Sequence, residues 1–281
     1  MKTGTIYKWP DKRGYLINDL APDAVYLPAK PGETSDSVLE RLEGTCESFW
    51  FHLDCSKTLG FPASRTDLLA ALAERRIHVV NGHVTDISKR YLQQFNREHG
   101  FVDVSAEETG DPDELVIVKS NYNALAGPER KLSAWEQDYL GVSATAPEGF
   151  SYYVAARSSI DPSVWRNPAL TCERFIGNEL GIYYRAFICR PKIATVQLRC
   201  PAPIKKARTS TRMQIMWHTT GDASAASSVI PGLVCRFIDA FLLDFGAIDI
   251  VTDLKGVAAV IDVNSTPWAT PHPGVNEYLA G

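Results

Sequence analysis

The chain has no run of about 18 apolar residues, the length a helix needs to cross a bilayer, so no transmembrane helix is expected. Its first stretch, MKTGTIYKWPDKRG, has no apolar core and does not read as a signal peptide. Six cysteines, at 46, 55, 172, 189, 200 and 235, include no pair at C-x-x-C spacing. That excludes the common zinc and redox motifs and points to buried, reduced thiols in a cytoplasmic protein. An excess of basic charge is also missing. Lys and Arg number 29 against 33 Asp and Glu, a formal net charge of -4, so neither a nucleic-acid surface nor a basic membrane anchor is expected. No internal repeat, low-complexity tract, Ser-His-Asp set or Cys-His set is found.

What is present is ample apolar material. Of 281 residues 45% are hydrophobic, enough for one large or two modest domains. SRTDLLAALAERRI reads as a helix capped by Ser64 or Thr66, with Leu68, Leu69 and Leu72 on its apolar face. HVVNG reads as a strand ending at an Asn81-Gly82 turn. DISKRYLQQFNREHG reads as a helix with Asp86 or Ser88 near its cap and Gly100 past its end. Residues 1–88 therefore form a small α/β unit. ELVIVKS is a strand ending at Lys119, and GFSYYVAA and LTCERFIG are further strand candidates. IYYRAFIC and ATVQLRC alternate as antiparallel strands do, and PGLVCRFIDAFLLDFG is an apolar helix. Antiparallel strands broken by a few helices give an α+β class for the last two thirds.

FGAIDIVTDLKGVAAVIDVN reads as a hairpin: a strand over 247–252, turn residues 253–256 and a return strand over 257–264. Asp262 and Asn264 share a face by the period of two. An even loop pairing Thr252 with Val257 brings Asp249 to that face, diagonal to Asp262. An odd loop turns Asp249 away, leaving Asn264 as a turn cap. In the first case Asp249, Asp262 and Asn264 converge. Two clustered carboxylates repel unless they share a proton or a cation. Oxygen ligands without His or Cys favour Mg²⁺ over zinc.

These pieces stand in a recognisable order: a helix-start lysine in DISKR, a strand-end lysine in VIVKS, the stretch CERFIG, an arginine strand YYRAF, and then Asp…Asp-x-Asn. Over residues 78–270 this order resembles the ATP-grasp superfamily, and within it the ribosomal-protein glutamate ligases and glutathione synthetases. The resemblance implies two α+β lobes clasping ATP, at 89–165 and 166–281, behind a pre-ATP-grasp-like domain at 1–88. It implies that Lys89 and Lys119 reach the nucleotide phosphates. It places adenine at the backbone of Arg174 and Phe175 with Glu173 accepting its amino proton, and makes Glu179 a candidate for the ribose. Arg185 would face phosphate or a substrate carboxylate, acting with Lys119 in catalysis. Asp249, Asp262 and Asn264 would hold Mg²⁺. Read without the resemblance, Lys89 is a solvated helix lysine, Lys119 a snorkelling strand-end lysine and Arg185 a cross-strand ion pair. Two features depart from the family pattern. The loop SNYNALAGPERK has only Gly127 where a glycine-rich loop is usual, leaving Asn121 and Asn123 as contacts, and CRPKIATV has Pro191 where a Gly-Gly turn is usual.

The reaction so implied activates a carboxylate as an acyl phosphate, which an amine then attacks with release of phosphate. It needs no nucleophilic side chain. The substrate would be a peptide or a small molecule, with self-association left open. A kinase on the same fold and a non-catalytic ATP-binding regulator are the rivals. The first would want a polyanion pocket, for which PIKKAR (Lys205, Lys206, Arg208) is the one basic cluster. The second is disfavoured by the retained acids. Arg212 and His218 lie in a stretch, TSTRMQIMWHTT, with no clear pattern, His218 being a candidate acid-base group.

Overall fold

The computed structural model describes residues 4–9, 14–30, 32–42, 46–58, 61–62, 64–142, 146–147, 149–178, 180–204, 210–270, 272 and 274–281. Glu179 and the cluster Lys205, Lys206 and Arg208 lie outside them. The chain opens with β1 (Gly4–Lys8), α1 (Leu16–Leu20), β2 (Val25–Pro28), α2 (Ser35–Glu40), β3 (Ser48–His52), α3 (Arg65–Glu74) and β4 (His78–Val80). The four strands form one parallel sheet in the order β2-β1-β3-β4. Parallel neighbours need crossover connections, which explains the strand–helix alternation of the first 80 residues. Leu68 and Leu72 of α3 are fully buried. Ser64 precedes α3 in a left-handed conformation and makes no side-chain cap.

Next come α4 (Lys89–Glu98), β5 (Leu115–Ser120), α5 (Ala134–Tyr139), β6 (Tyr153–Ala156), α6 (Pro162–Arg166) and β7 (Leu170–Arg174). β5 lies between β6 and β7, antiparallel to both. This small sheet therefore closes on β7, past the division at residue 165 expected from the sequence. The last part contains β8 (Ile182–Cys189), β9 (Lys192–Arg199), β10 (Thr211–Thr219), α7 (Ala223–Ser227), α8 (Val229–Phe241), β11 (Phe245–Thr252), β12 (Ala258–Asn264) and α9 (Val275–Ala280). Its five strands form an antiparallel sheet in the order β10-β9-β8-β11-β12. The period of two divides the apolar residues of this sheet between two cores. Tyr183, Phe187, Val196, Leu198 and Ala247 pack towards Ile6 and α1. Ala186, Ile188, Ile193, Ile248 and Ile250 pack on α4 and α8. Among the described residues no helix is long and apolar enough to cross a membrane, and all six cysteines are free of disulfides.

The glycine-poor segment 120–131 is not a loose flap. Tyr122 and Ala126 are buried in the core of the first unit with Tyr7, Phe49, Phe61 and Leu68. Glu129 is fully buried; its Oε1 accepts from the Ser56 peptide N–H at 2.7 Å, and its Oε2 has no hydrogen-bond partner. Burial raises this carboxyl above the ordinary carboxylate range, against the Ser56 hydrogen bonds, and the neighbouring Asp54 adds to the rise. A carboxyl held up in the folded state costs stability as pH climbs: the unfolded chain gives up its proton first. Glu129→Gln is therefore expected to gain stability over wild type progressively above about pH 4.5 and to match it below. Urea melts from pH 4 to pH 8 check this, and a difference that does not change with pH refutes it.

Candidate active site

α4 presents Lys89 at its first position, and the ammonium is not in solvent. Lys89 is only 2% exposed. Its Nζ lies 3.1 Å from Asp262 Oδ1 and donates to Asn123 Oδ1 at 2.8 Å. Burial alone would lower this ammonium. The Asp262 carboxylate, helped by Tyr152 and Glu173, outweighs it and holds Lys89 above the ordinary lysine range. A solvated helix lysine is thus excluded. Lys119, at the end of β5, pairs with Glu173 on β7, and its Nζ donates to the Ile261 carbonyl at 3.4 Å. Glu173 is 1% exposed. Burial raises its carboxyl, and Lys119 opposes the rise.

The hairpin reaches the expected face by an unexpected route. Thr252 pairs with Ala258, Val251 with Ala259 and Ile250 with Val260, a register that would turn Asp249 away from Asp262. A bulge then intervenes: Asp249 pairs with Asp262 and Ile248 with Val263, leaving Ile261 as the extra residue. The bulge reverses the parity, so the two aspartates stand directly opposite one another. They are cross-strand partners, not the diagonal neighbours expected. The bulge is supported from outside the hairpin. β12 is an edge strand, and its carbonyls are taken by side chains: Val260 by Asn96 Nδ2 at 3.1 Å, Ile261 by Lys119, and Val263 by Asn123 Nδ2 at 2.7 Å. An edge carbonyl buried without a partner would cost stability.

Arg185 is the register partner of Asp249 on β8. Its Nη1 lies 3.2 and 3.1 Å from the two carboxylate oxygens. Burial raises the Asp249 carboxyl; Arg185 pulls it back and the nearby Asp262 pushes it further up. The cross-strand ion pair is therefore real, and it stands within the site.

Between the small and large sheets lies a cleft with about 700 Å³ of open space. Its lining includes the apolar residues Ile117, Phe175, Ile176, Pro203 and Ile204 together with Lys89, Lys119, Tyr152, Glu173, Asp249 and Asp262. Other expected residues lie elsewhere. Arg174 is exposed, its Nη2 donating to the Asp103 carbonyl. The peptide N–H of Arg174 already donates to Val104 at 2.6 Å and that of Phe175 to Leu115 at 2.8 Å, so neither is free to read a base edge. The next residue, Ile176, lines the cleft beyond the end of β7. Asn264 Oδ1 accepts from the Thr266 peptide N–H at 2.9 Å and its hydroxyl at 3.4 Å, as a turn cap does. His218 is buried on the opposite face of the sheet from Arg185, since it aligns through Ile193 with Ile188. Arg212 aligns through Leu198 with Tyr183, on the Arg185 face.

The sequence reading missed Tyr152. It lines the cleft beside Lys89 and its hydroxyl is raised by burial, Lys89 opposing. The signal was available: Tyr152 and Tyr153 are adjacent at a strand start, so one must face inward.

Among the described residues no group of three or more His, Cys, Asp or Glu is placed to hold a metal. The donors present still suit Mg²⁺, which is commonly held by one or two carboxylates plus substrate phosphates and water. Asp262 Oδ1 is buried without a hydrogen-bond partner, its one strong contact being the Lys89 ion pair.

No protein-family model matches the sequence, and no curated protein matches it. Solved structures do match over nearly the whole chain. The ATP-grasp ligase PsnB complexed with minimal precursor aligns with a TM-score of 0.52 at 12% identity, covering 99% of this chain and 94% of that one. PsnB with a phosphomimetic variant of the precursor, Mg and ADP aligns at 0.51 and 13%, with the same coverage. The RimK domain protein ATP-grasp from Sphaerobacter thermophilus DSM 20745 aligns at 0.50 and 15%, covering 99% and 97%. These likenesses show the fold: the chain has the ATP-grasp fold.

Proposed function

We propose that this ATP-grasp chain is an ATP- and Mg²⁺-dependent ligase that activates a carboxylate as an acyl phosphate and joins it to an amine. The observation that carries the reading is that Lys89, Lys119, Asp249 and Asp262 line one cleft, with Lys89 Nζ 3.1 Å from Asp262. A buried ammonium held in its charged form is a fixed attraction for phosphate. In the reading, Lys89 and Lys119 bind the nucleotide phosphates, exchanging their present carboxylate partners for phosphate oxygens. The base packs against the apolar lining residues Ile117, Phe175 and Ile176. With the N–H groups of Arg174 and Phe175 committed, the backbone donor for its edge falls to residues 176–178. Glu173 accepts from its amino group, and Glu179 remains the ribose candidate.

Asp249 and Asp262 would hold Mg²⁺, with the Asn264 amide oxygen as a third donor if its turn opens; the metal would neutralise charge on the phosphates. Arg185 holds Asp249 in place and offers its remaining guanidinium N–H groups to a substrate carboxylate or phosphate. The lobes divide in the segment 175–181, between β7 and β8. PsnB is described as complexed with minimal precursor; the substrate proposed here is a peptide or a small molecule. The presence of ADP and Mg with that protein favours the same pair of cofactors.

A thermal-shift titration tests nucleotide binding: ATP with Mg²⁺ raises the melting temperature by mass action. No shift at millimolar ATP, ADP or a non-hydrolysable analogue counts against the reading. Product analysis then separates the reactions. A ligase releases ADP and phosphate only when carboxylate and amine are both present. A kinase leaves the phosphoryl group on a hydroxyl acceptor, and a regulator yields no ADP.

A further inference from the structure

Asn123 is held by three contacts from three parts of the molecule. Its peptide N–H donates to Ser56 Oγ at 2.8 Å, in the first unit. Its Oδ1 accepts from Lys89 Nζ at 2.8 Å, on α4. Its Nδ2 donates to the Val263 carbonyl at 2.7 Å, on the strand that carries Asp262. An ammonium can only donate and a carbonyl can only accept, so these partners dictate which way the amide faces. No other side-chain amide among the described residues touches both Lys89 and the β12 edge.

The backbone after Asn123 is unusual. Ala124, Leu125 and Ala126 are all left-handed, at φ 49, 56 and 60. Non-glycine residues adopt that region rarely, because the Cβ is crowded against the backbone there. Three in succession persist only where packing and hydrogen bonds overdetermine them. Here Ala126 is fully buried, and Ser56, which receives the Asn123 N–H, is tied through its own N–H to the buried Glu129. The segment is a rigid turn that aims one side chain.

Resting on the nucleotide reading above, we infer that Asn123 is a positioning residue: it sets the Lys89 ammonium and the Asp262 strand in one frame, so that cation and acid meet the nucleotide at a fixed separation. It acts through Lys89 and does not itself need to touch the phosphates.

The test is a double-mutant cycle on ATP affinity, measured by calorimetry with Mg²⁺ present. Asn123→Ala is expected to weaken ATP binding about tenfold, the scale of one hydrogen bond to a charged group. In a Lys89→Met background the same substitution is expected to change affinity less than about twofold, because its route of action is gone. A purely structural role would give the same loss in both backgrounds. Should Asn123→Ala fail to fold, Asn123→Ser, which keeps a turn-forming hydroxyl but cannot span both partners, takes its place in the cycle. Equal losses in the two backgrounds, or unchanged affinity in the single variant, overturn the inference alone. Wild-type protein that binds no ATP overturns the nucleotide reading and this inference with it.

Discussion

Replacing Asp262 with asparagine is expected to abolish ATP turnover while the protein keeps its fold. The substitution preserves shape and a hydrogen-bonding oxygen but removes one of two negative charges that would face a bound cation. Loss of a metal's charge stabilisation is worth several kcal/mol, a factor on the order of 10²–10³ or more in rate. The side chain is about one-third exposed, at 32%, but the buried Lys89 loses its carboxylate partner, so some loss of stability accompanies the substitution. Lys89 keeps its bond to Asn123, and ATP binding should survive better than turnover. Steady-state ADP release, with the urea midpoint as a folding control, measures both. Near wild-type turnover would show that Asp262 holds no metal, and the reading of the hairpin would fall.

Lys119→Met is expected to lose both nucleotide binding and stability. Lys119 and Glu173 are both buried, and removing one partner of such a pair costs about 3–5 kcal/mol because a charge is left uncompensated. Glu173 is already raised by burial, and without Lys119 it rises further. A folded-state carboxyl pKa above the unfolded value makes stability fall as pH rises through the ordinary carboxylate range. The variant should therefore be closest to wild type near pH 4 and furthest from it near pH 8. Adding Glu173→Gln should recover most of the stability and flatten the pH dependence, with no return of ATP binding. Urea melts at the two pH values and a thermal shift with ATP measure this. A single variant as stable at pH 8 as wild type would mean that the pair is not buried in solution.

Local sequence was enough for the individual elements. The apolar period marks α3 and α8, alternation marks β8 and β9, and Asn81-Gly82 marks the end of β4. It also showed where the ionisable groups stand along the chain: Lys89 at a helix start, Lys119 at a strand end, and two acids on one hairpin. These are properties of spacing, which short-range sterics and turn chemistry control. β10 was not legible, because most of its residues face solvent and its apolar pattern is broken by the irregularity between Arg212 and Gln214. α5 and α6, at 6 and 5 residues, are too short to show a period.

What only the tertiary structure decided is which of those groups meet. The parity of the hairpin depends on a bulge at Ile261, and its carbonyl is held by Lys119, 142 residues earlier in the chain. No window of sequence around the hairpin contains that partner. The peptide N–H groups of Arg174 and Phe175 are taken by the carbonyls of Val104 and Leu115, partners far earlier in the chain. Asn123 stood out in the sequence as a contact of the glycine-poor loop, but its partners, Ser56, Lys89 and the Val263 carbonyl, lie far from it along the chain. Spacing along the chain determined which chemistry was available to this protein; long-range hydrogen bonds to a strand edge, each too costly to leave unmade in a buried place, decided how that chemistry is assembled.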